Sequence, residues 1–125
     1  MKVILDTNFL IYCAKEKLDY VEKIQNLLNE SYDLVVPVQV VEELNRLKVK
    51  AKKGKDKFAS DLALQLLESN KIEKININGK NVDEGIINLA KKNSKNIVAT
   101  LDKEMRGILG RVMLISRGKK LILTR

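Results

Sequence analysis

The sequence predicts an α/β fold, a three-layer α/β/α sandwich around a mostly parallel central sheet. Short apolar runs typical of buried strands alternate with longer amphipathic stretches typical of helices. The 125 residues are the size of one ordinary domain, and a hydrophobic content of 45% is enough for one core. There is one proline and no Gly-rich or Ser-rich linker or internal repeat, so we expect one domain, 1–125.

Each predicted element follows from its local pattern. Runs rich in Val, Ile and Leu predict strands at 2–5, 33–37, 72–78, 96–101, 112–116 and 120–124. Apolar residues at helical spacing predict helices at 8–14, 19–30, 38–50, 58–69, 82–92 and 103–109. Pro37 ends the second strand. The basic stretch KKGKDK at 52–57 is predicted to be a loop.

Composition excludes several kinds of chemistry. The chain has no His, which excludes a Ser-His-Asp triad, a His general base and a His-ligated zinc. The single Cys13 excludes an internal disulfide and a Cys-rich zinc site. The six glycines are scattered and form no phosphate-binding loop. Carboxylates with a hard cation are the tools that remain for an enzyme.

The charge balance and the apolar runs indicate the surroundings of the protein. Lys and Arg exceed Asp and Glu by 24 − 16 = +8, a surplus that attracts polyanions such as nucleic acid. No apolar stretch approaches the ~18 residues that cross a bilayer. Asp6 and Asn8 interrupt the apolar N-terminus, and no signal-peptide cleavage site follows. We expect a soluble cytoplasmic protein with no membrane contact.

Two acidic residues directly follow predicted strands. Asp6 follows the first strand and Asp102 follows the strand at 96–101. Either could simply cap the next helix, because Asp is a preferred N-cap residue. Ligands of open α/β sheets, however, bind beyond the carboxyl ends of the strands, where both residues lie. Glu104 lies two residues after Asp102 and is either a supporting acid or an exposed charge.

Two further acidic residues lie on helices that follow strands. With about 100° per residue, Glu43 falls at the margin of the apolar face formed by Val40, Leu44 and Leu47, whereas Glu42 points outward. On the next such helix Asp83 aligns with buried positions at i+3 and i+7, and Glu84 points toward solvent. Stabilisation by the helix dipole is the alternative for Asp83.

The four acids are more informative together than separately. In a doubly wound sheet, two strand ends and two inner helix edges can meet at one crevice, where the carboxylates repel one another. A divalent cation relieves that repulsion. Without these four residues the chain would carry 24 − 12 = +12, so an acidic pocket would lie on a basic body. This combination is expected of a metal-dependent nuclease.

The motifs around these acids resemble those of PIN-domain nucleases along nearly the whole chain. VILDTNFLIY contains Asp6, PVQVVEEL contains Glu43, DEGIINLA contains Asp83 and VATLDKEM contains Asp102. All four occur in the order found in the family. Thr7, Asn8 and Thr100 match the accessory polar positions. The GKDK stretch and the tail VMLISRGKKLIL look similar to the branch that includes archaeal and eukaryotic ribosomal-RNA-processing nucleases.

The resemblance implies an endoribonuclease that cleaves RNA phosphodiesters with Mg²⁺ or Mn²⁺ and acts in ribosomal-RNA processing. It implies that the four acids are the catalytic metal ligands. Thr7, Asn8, Thr100 and Glu104 would assist them. RNA-backbone contacts are predicted at five cationic residues on and after the basic stretch, with a solvated surface as the alternative: Lys52, Lys53, Lys55, Lys57 and Arg106.

Three alternatives remain open. A VapC-type toxin shares the same acids and would have an antitoxin protein as partner. A homodimer is possible in either branch. A non-cleaving RNA-binding module is disfavoured because none of the four acids is missing. A receiver-type phospho-acceptor needs an adjacent acidic pair after the first strand, and the sequence there is LDTN.

Overall fold

The computed structural model describes residues 1–124 and confirms the α/β class. Six strands and six helices alternate as β1 Lys2–Leu5, α1 Thr7–Lys15, α2 Tyr20–Leu27, β2 Asp33–Pro37, α3 Val38–Lys50, α4 Gly54–Ser69, β3 Glu73–Ile75, α5 Val82–Lys91, β4 Ile97–Ala99, α6 Lys103–Ile108, β5 Val112–Ile115 and β6 Leu121–Leu123. Across the described residues, no helix combines the length and the apolar content needed to cross a bilayer.

The sheet is mostly parallel, as predicted. Its order is β3-β2-β1-β4-β5-β6, and only β6 runs antiparallel to its neighbour. Val3 of β1 lies opposite Leu34 of β2 on one side and Ile97 of β4 on the other. The carboxyl ends of β1 to β5 therefore share one edge, called here the carboxyl edge, and the chain changes direction of travel between β1 and β4.

Helices cover both faces of the sheet. On one face α1, α3 and α4 pack against one another. Because β-α-β crossovers are right-handed, the return from β3 across β1 to β4 places α5 on the opposite face. The central strands β1 and β4 are buried on both sides, and Val3, Ile4, Ile97 and Val98 are fully inaccessible. Burial of these side chains stabilises the fold by about 1.5–3 kcal/mol each.

The predicted loop at 52–57 is wrong, because α4 begins at Gly54. The composition of this stretch suggested a loop, but a tertiary contact stabilises the first helical turn. Asp56 accepts an ion pair from Lys15 of α1 at 2.6 Å, and an acidic residue in a first turn also suits the helix dipole. Lys55 and Lys57 are therefore helical, whereas Lys52 and Lys53 lie in the connection before α4.

The strand predicted at 72–78 is shortened to three residues. After Ile75 the chain leaves the sheet, and the side chain of Ile77 is buried against α5 instead. Gly85 allows this approach, because a Cβ there would lie 2.7 Å from the end of the Ile77 side chain. The other helices and strands match their predicted positions to within about three residues, the usual uncertainty at ends that fray.

Candidate active site at the carboxyl edge

Asp6 is placed by the end of β1 and the start of α1. Its backbone N–H donates to the carbonyl of Ala99 at 3.0 Å, which continues the pairing with β4. Its carboxylate caps α1 by accepting from the N–H of Thr7 at 2.8 Å. The capping alternative is thus correct for Asp6, but a cap needs only one carboxylate oxygen.

The second oxygen of Asp6 binds Thr100 at the end of β4. The Thr100 hydroxyl donates to Asp6 Oδ2 at 2.7 Å, and both residues are buried, at 2% and 5% exposure. The same hydroxyl oxygen accepts from the N–H of Asp102 at 3.1 Å. Thr100 therefore connects the two strand-end acids, the positioning role predicted for it.

Asp102 caps α6, and Asn8 braces the loop before it. Asp102 Oδ1 accepts from the N–H of Glu104 at 2.9 Å. Asn8 Oδ1 accepts from the N–H of Leu101 at 3.0 Å, which links α1 to the β4–α6 connection. The hydroxyl of Thr7 is buried and has no hydrogen-bond partner within residues 1–124. It is an unused oxygen ligand beside Asp6.

Glu43 and Asp83 reach the same edge from helices. Glu43 is half-buried and Glu42 is exposed, as the helical periodicity predicted. Asp83 is exposed, although Ile86 and Ala90 on its side of α5 are buried, because the first turn of α5 projects beyond the core. Within the described chain, neither carboxylate makes a side-chain hydrogen bond.

The outward orientation predicted for Glu84 is wrong. Glu84 is half-buried, and its carboxylate accepts from the N–H of Lys80 at 3.2 Å. Its own N–H donates to Asn81, the N-cap of α5, at 2.9 Å. These reciprocal bonds resemble a capping box and draw Glu84 back over the helix start.

The acids influence one another electrostatically. Burial raises the pKa of Asp6, hydrogen bonds from Thr100 and Thr7 oppose the rise, and the charges of Asp83 and Glu43 add to it. Partial desolvation raises the pKa of Asp83, as do the charges of Asp102, Glu43 and Glu104. Each predicted acid thus affects the pKa of Asp6, Asp83 or both, so the structure brings the predicted set to one edge.

The donor chemistry of this edge fits a divalent cation. Carboxylate oxygens and a hydroxyl are the ligands that hard cations such as Mg²⁺ bind. As they stand, no three acidic or Cys side chains among residues 1–124 are close enough to hold one ion. Carboxylates without a counter-charge repel one another, so binding would draw the more exposed acids toward Asp6.

Sequence reasoning missed Gln39, a residue that positions the helix-borne acids. It lies one turn before Glu43 on α3 and donates through Nε2 to the carbonyl of Ile77 at 3.2 Å. Ile77 belongs to the segment that leads into α5 and Asp83. The contact joins residues 38 apart in the chain. Spacing of four residues before Glu43 was the only sequence signal that could have suggested it.

The predicted RNA contacts lie apart from the acids. Lys52, Lys53, Lys55, Lys57 and Arg106 are all exposed. Asp56 and Asp61, interpreted as surface charges, pair with Lys15 and Lys48 at 2.6 and 3.2 Å on partly exposed surface. No geometry here distinguishes an RNA contact from a solvated lysine, so these five contacts stay predictions.

Comparison with known proteins identifies relatives with this arrangement. The chain matches the family described as PIN like domain over residues 3–123. It is 41% identical over 106 residues to Ribonuclease VapC4 of Methanocaldococcus jannaschii, a match that spans 84% of this chain and 79% of that protein. The solved PIN domain endonuclease Utp24 superposes with a TM-score of 0.77 at 21% identity, covering 98% of this chain and 90% of that one.

Proposed function

Because the chain belongs to the PIN like domain family, we propose that it is an endoribonuclease that depends on a divalent cation, with 1–125 forming one nuclease domain. The observation that carries the proposal is the electrostatic coupling of acidic residues from four separate elements at the carboxyl edge. Ribonuclease VapC4, at 41% identity, supports RNA as the substrate.

We assign the cation to four carboxylates: Asp6, Glu43, Asp83 and Asp102. A bound Mg²⁺ or Mn²⁺ would supply Lewis acidity, lowering the pKa of water and offsetting charge on the scissile phosphate. Asp6 fixes the position of this site, because its two oxygens are oriented by Thr7 and Thr100. Glu43 and Asp83 are freer to adjust to a ligand.

The remaining polar residues orient rather than react. Thr100 and Asn8 hold the β4–α6 connection against α1, so that Asp102 keeps its place relative to Asp6. Glu104 adds negative charge beside Asp83. The surplus of cationic side chains elsewhere on the surface would hold the RNA backbone, with these residues as candidates: Lys52, Lys53, Lys55, Lys57 and Arg106.

Two cellular roles are compatible with the proposed chemistry. The 41% identity to a VapC-named ribonuclease favours the VapC type, with an antitoxin protein as the expected partner. Ribosomal-RNA processing in the cytoplasm is the role that the sequence motifs suggested. Growth arrest on expression, relieved by a co-expressed neighbouring gene, would identify a toxin, whereas accumulation of unprocessed ribosomal RNA on deletion would identify a processing enzyme. Homodimer formation is a separate prediction, checked by light scattering.

The central experiment compares the native protein with Asp6→Asn. Asn is also a good N-cap, so the variant should fold. We expect Mn²⁺-dependent cleavage of a structured RNA by the native protein and loss of cleavage in Asp6→Asn. Equal cleavage by both proteins would show that the site is wrongly assigned. RNA binding without any cleavage by the native protein would instead favour a binding module.

A further inference from the structure

A groove lined by α1, α3 and the start of α4 continues from the acidic edge. Its volume is about 450 Å³. Ile11 and Lys15 of α1, together with Leu47 of α3 and the following Ala51, form one part of its lining. The rest consists of Lys52, Lys53, Asp56 and Ser60.

Helical spacing connects this groove to the acids. On α3, Leu47 and Ala51 lie four and eight residues after Glu43, and on α1, Ile11 and Lys15 lie four and eight residues after Thr7. With a rise of about 1.5 Å per residue, these positions are about 6 and 12 Å along each helix from the acidic edge. Both helices thus lead from the proposed cleavage site into the same groove.

The chemistry of the groove fits one part of an RNA strand. Ile11, Leu47 and Ala51 offer an apolar floor of the kind on which a base can rest. Lys52 and Lys53 at the rim are exposed, and neither forms an ion pair in the part of the chain that the structure describes. Lys15 is held by Asp56, so the rim lysines are the cations available to a phosphate.

On these grounds the geometry points to a nucleotide-binding subsite for an unpaired nucleotide of the RNA substrate, close to the scissile phosphate. The base occupies the apolar floor, and Lys52 and Lys53 contact the adjoining phosphates. A base-paired nucleotide has no free base to place there, so this subsite favours cleavage within single-stranded or looped RNA. The inference rests on the proposed function and names the form of RNA that the site accepts.

Binding measurements test the subsite without relying on cleavage. A labelled single-stranded RNA oligonucleotide is titrated with protein in EDTA, using Ala51→Trp to fill the groove and Lys52→Glu/Lys53→Glu to reverse the rim. We expect Ala51→Trp to weaken binding about tenfold, the effect of removing one stacked base. The double variant should flatten the salt dependence by about 0.7 for each phosphate that the rim no longer neutralises.

Two controls separate the subsite from general effects. Lys91→Glu/Lys92→Glu makes the same charge change at the far end of α5, and it should leave the intact groove functional. Oligonucleotides with a single abasic position should include one that binds native protein weakly and loses nothing further in Ala51→Trp. Thermal unfolding of every variant checks that the fold is kept.

The outcomes distinguish this inference from the proposed function. Native protein that neither binds nor cleaves RNA would overturn both. Native protein that cleaves RNA, with groove variants that bind like the Lys91→Glu/Lys92→Glu control, would overturn only the subsite. Equal loss with intact and abasic oligonucleotides at every position would also overturn it, since the floor would then hold no base.

Discussion

Asp6 and Asp102, the strand-end pair, follow neighbouring strands and are joined through the Thr100 hydroxyl. Glu43 and Asp83, the helix pair, lie on helices from opposite faces of the sheet. Gln39 is the one side chain seen to link the segments that carry them, within residues 1–124. The comparison indicates a division within one site, in which the strand-end pair sets the position and the helix pair closes around the ligand.

The largest expected effect breaks the helix pair. Asp83→Asn should lower Mn²⁺-dependent cleavage by more than about 100-fold, exceeding the usual effect of a residue that only supports a metal ligand. Because Asp83 is exposed and makes no side-chain hydrogen bond within the described residues, its stability should change by less than about 0.5 kcal/mol. RNA cleavage and thermal unfolding measure the two quantities.

The matched control for that variant is Asp33→Asn. Asp33 is an exposed aspartate at the amino end of β2, on the edge of the sheet opposite the acids. It removes the same charge without touching the site. Retention of cleavage in Asp83→Asn at the level of this control would mean that the strand-end pair suffices, and the helix pair would lose its proposed role.

The next effect weakens the strand-end pair without removing an acid. Thr100→Val keeps the shape and strand preference of the side chain but removes the hydroxyl that donates to Asp6. We expect cleavage to fall about 10- to 100-fold. Because that hydrogen bond lowers the pKa of Asp6, its loss should also move the acidic limb of the pH–rate profile to higher pH. Thr100→Ser should restore both, and identical profiles for Val and Ser would exclude a positioning role.

A smaller effect is expected where the helix pair is positioned indirectly. Gln39→Leu removes the bond to the Ile77 carbonyl while keeping an apolar filling for the partly buried site. The Mn²⁺ concentration for half-maximal cleavage should rise by less than about tenfold, with the rate at saturating Mn²⁺ nearly unchanged. A titration of the cleavage rate with Mn²⁺ measures this split. An equal loss of rate at all Mn²⁺ concentrations would indicate a general structural defect instead.

The two pairs also differ in how far the sequence predicted them. The strand-end acids are encoded locally, since LDTN and TLDKE each contain a strand end, a cap and a helix start within a few residues. The positions of Glu43 and Asp83 were predicted from helical periodicity. The exposure of Asp83 and the inward turn of Glu84 were not, because both depend on where α5 projects and how its first turn is capped.

Contacts between distant segments account for the remaining differences. The start of α4 at Gly54 depends on an ion pair between Lys15 and Asp56, and a loop-like composition conceals it. The shortened β3 depends on Ile77 packing against Gly85. In each case local propensity was overruled by a partner elsewhere in the chain, which a single sequence does not reveal. The groove beside the acids has the same origin, because it needs α1, α3 and α4 together.

The smallest effect concerns the pH dependence of stability and applies to the buried member of the strand-end pair. The folded state raises the pKa of Asp6, chiefly through burial, so the folded protein holds this proton to higher pH than the unfolded chain. The free energy of unfolding therefore falls as pH rises from the ordinary carboxyl pKa through the raised one. Asn at this position does not ionise and avoids that loss.

The stability of Asp6→Asn relative to native protein should therefore be greater at about pH 7 than at about pH 3, where both side chains are neutral. Urea unfolding at both pH values measures the change in this difference, and Asp33→Asn provides the background for removing one charge. Comparing differences cancels the fixed cost of altering the bonds to Thr7 and Thr100. A difference that grew toward low pH would mean that the native hydrogen bonds outweigh burial and lower the pKa of Asp6. The strand-end pair would then be held ready for a cation at lower pH than its burial implies.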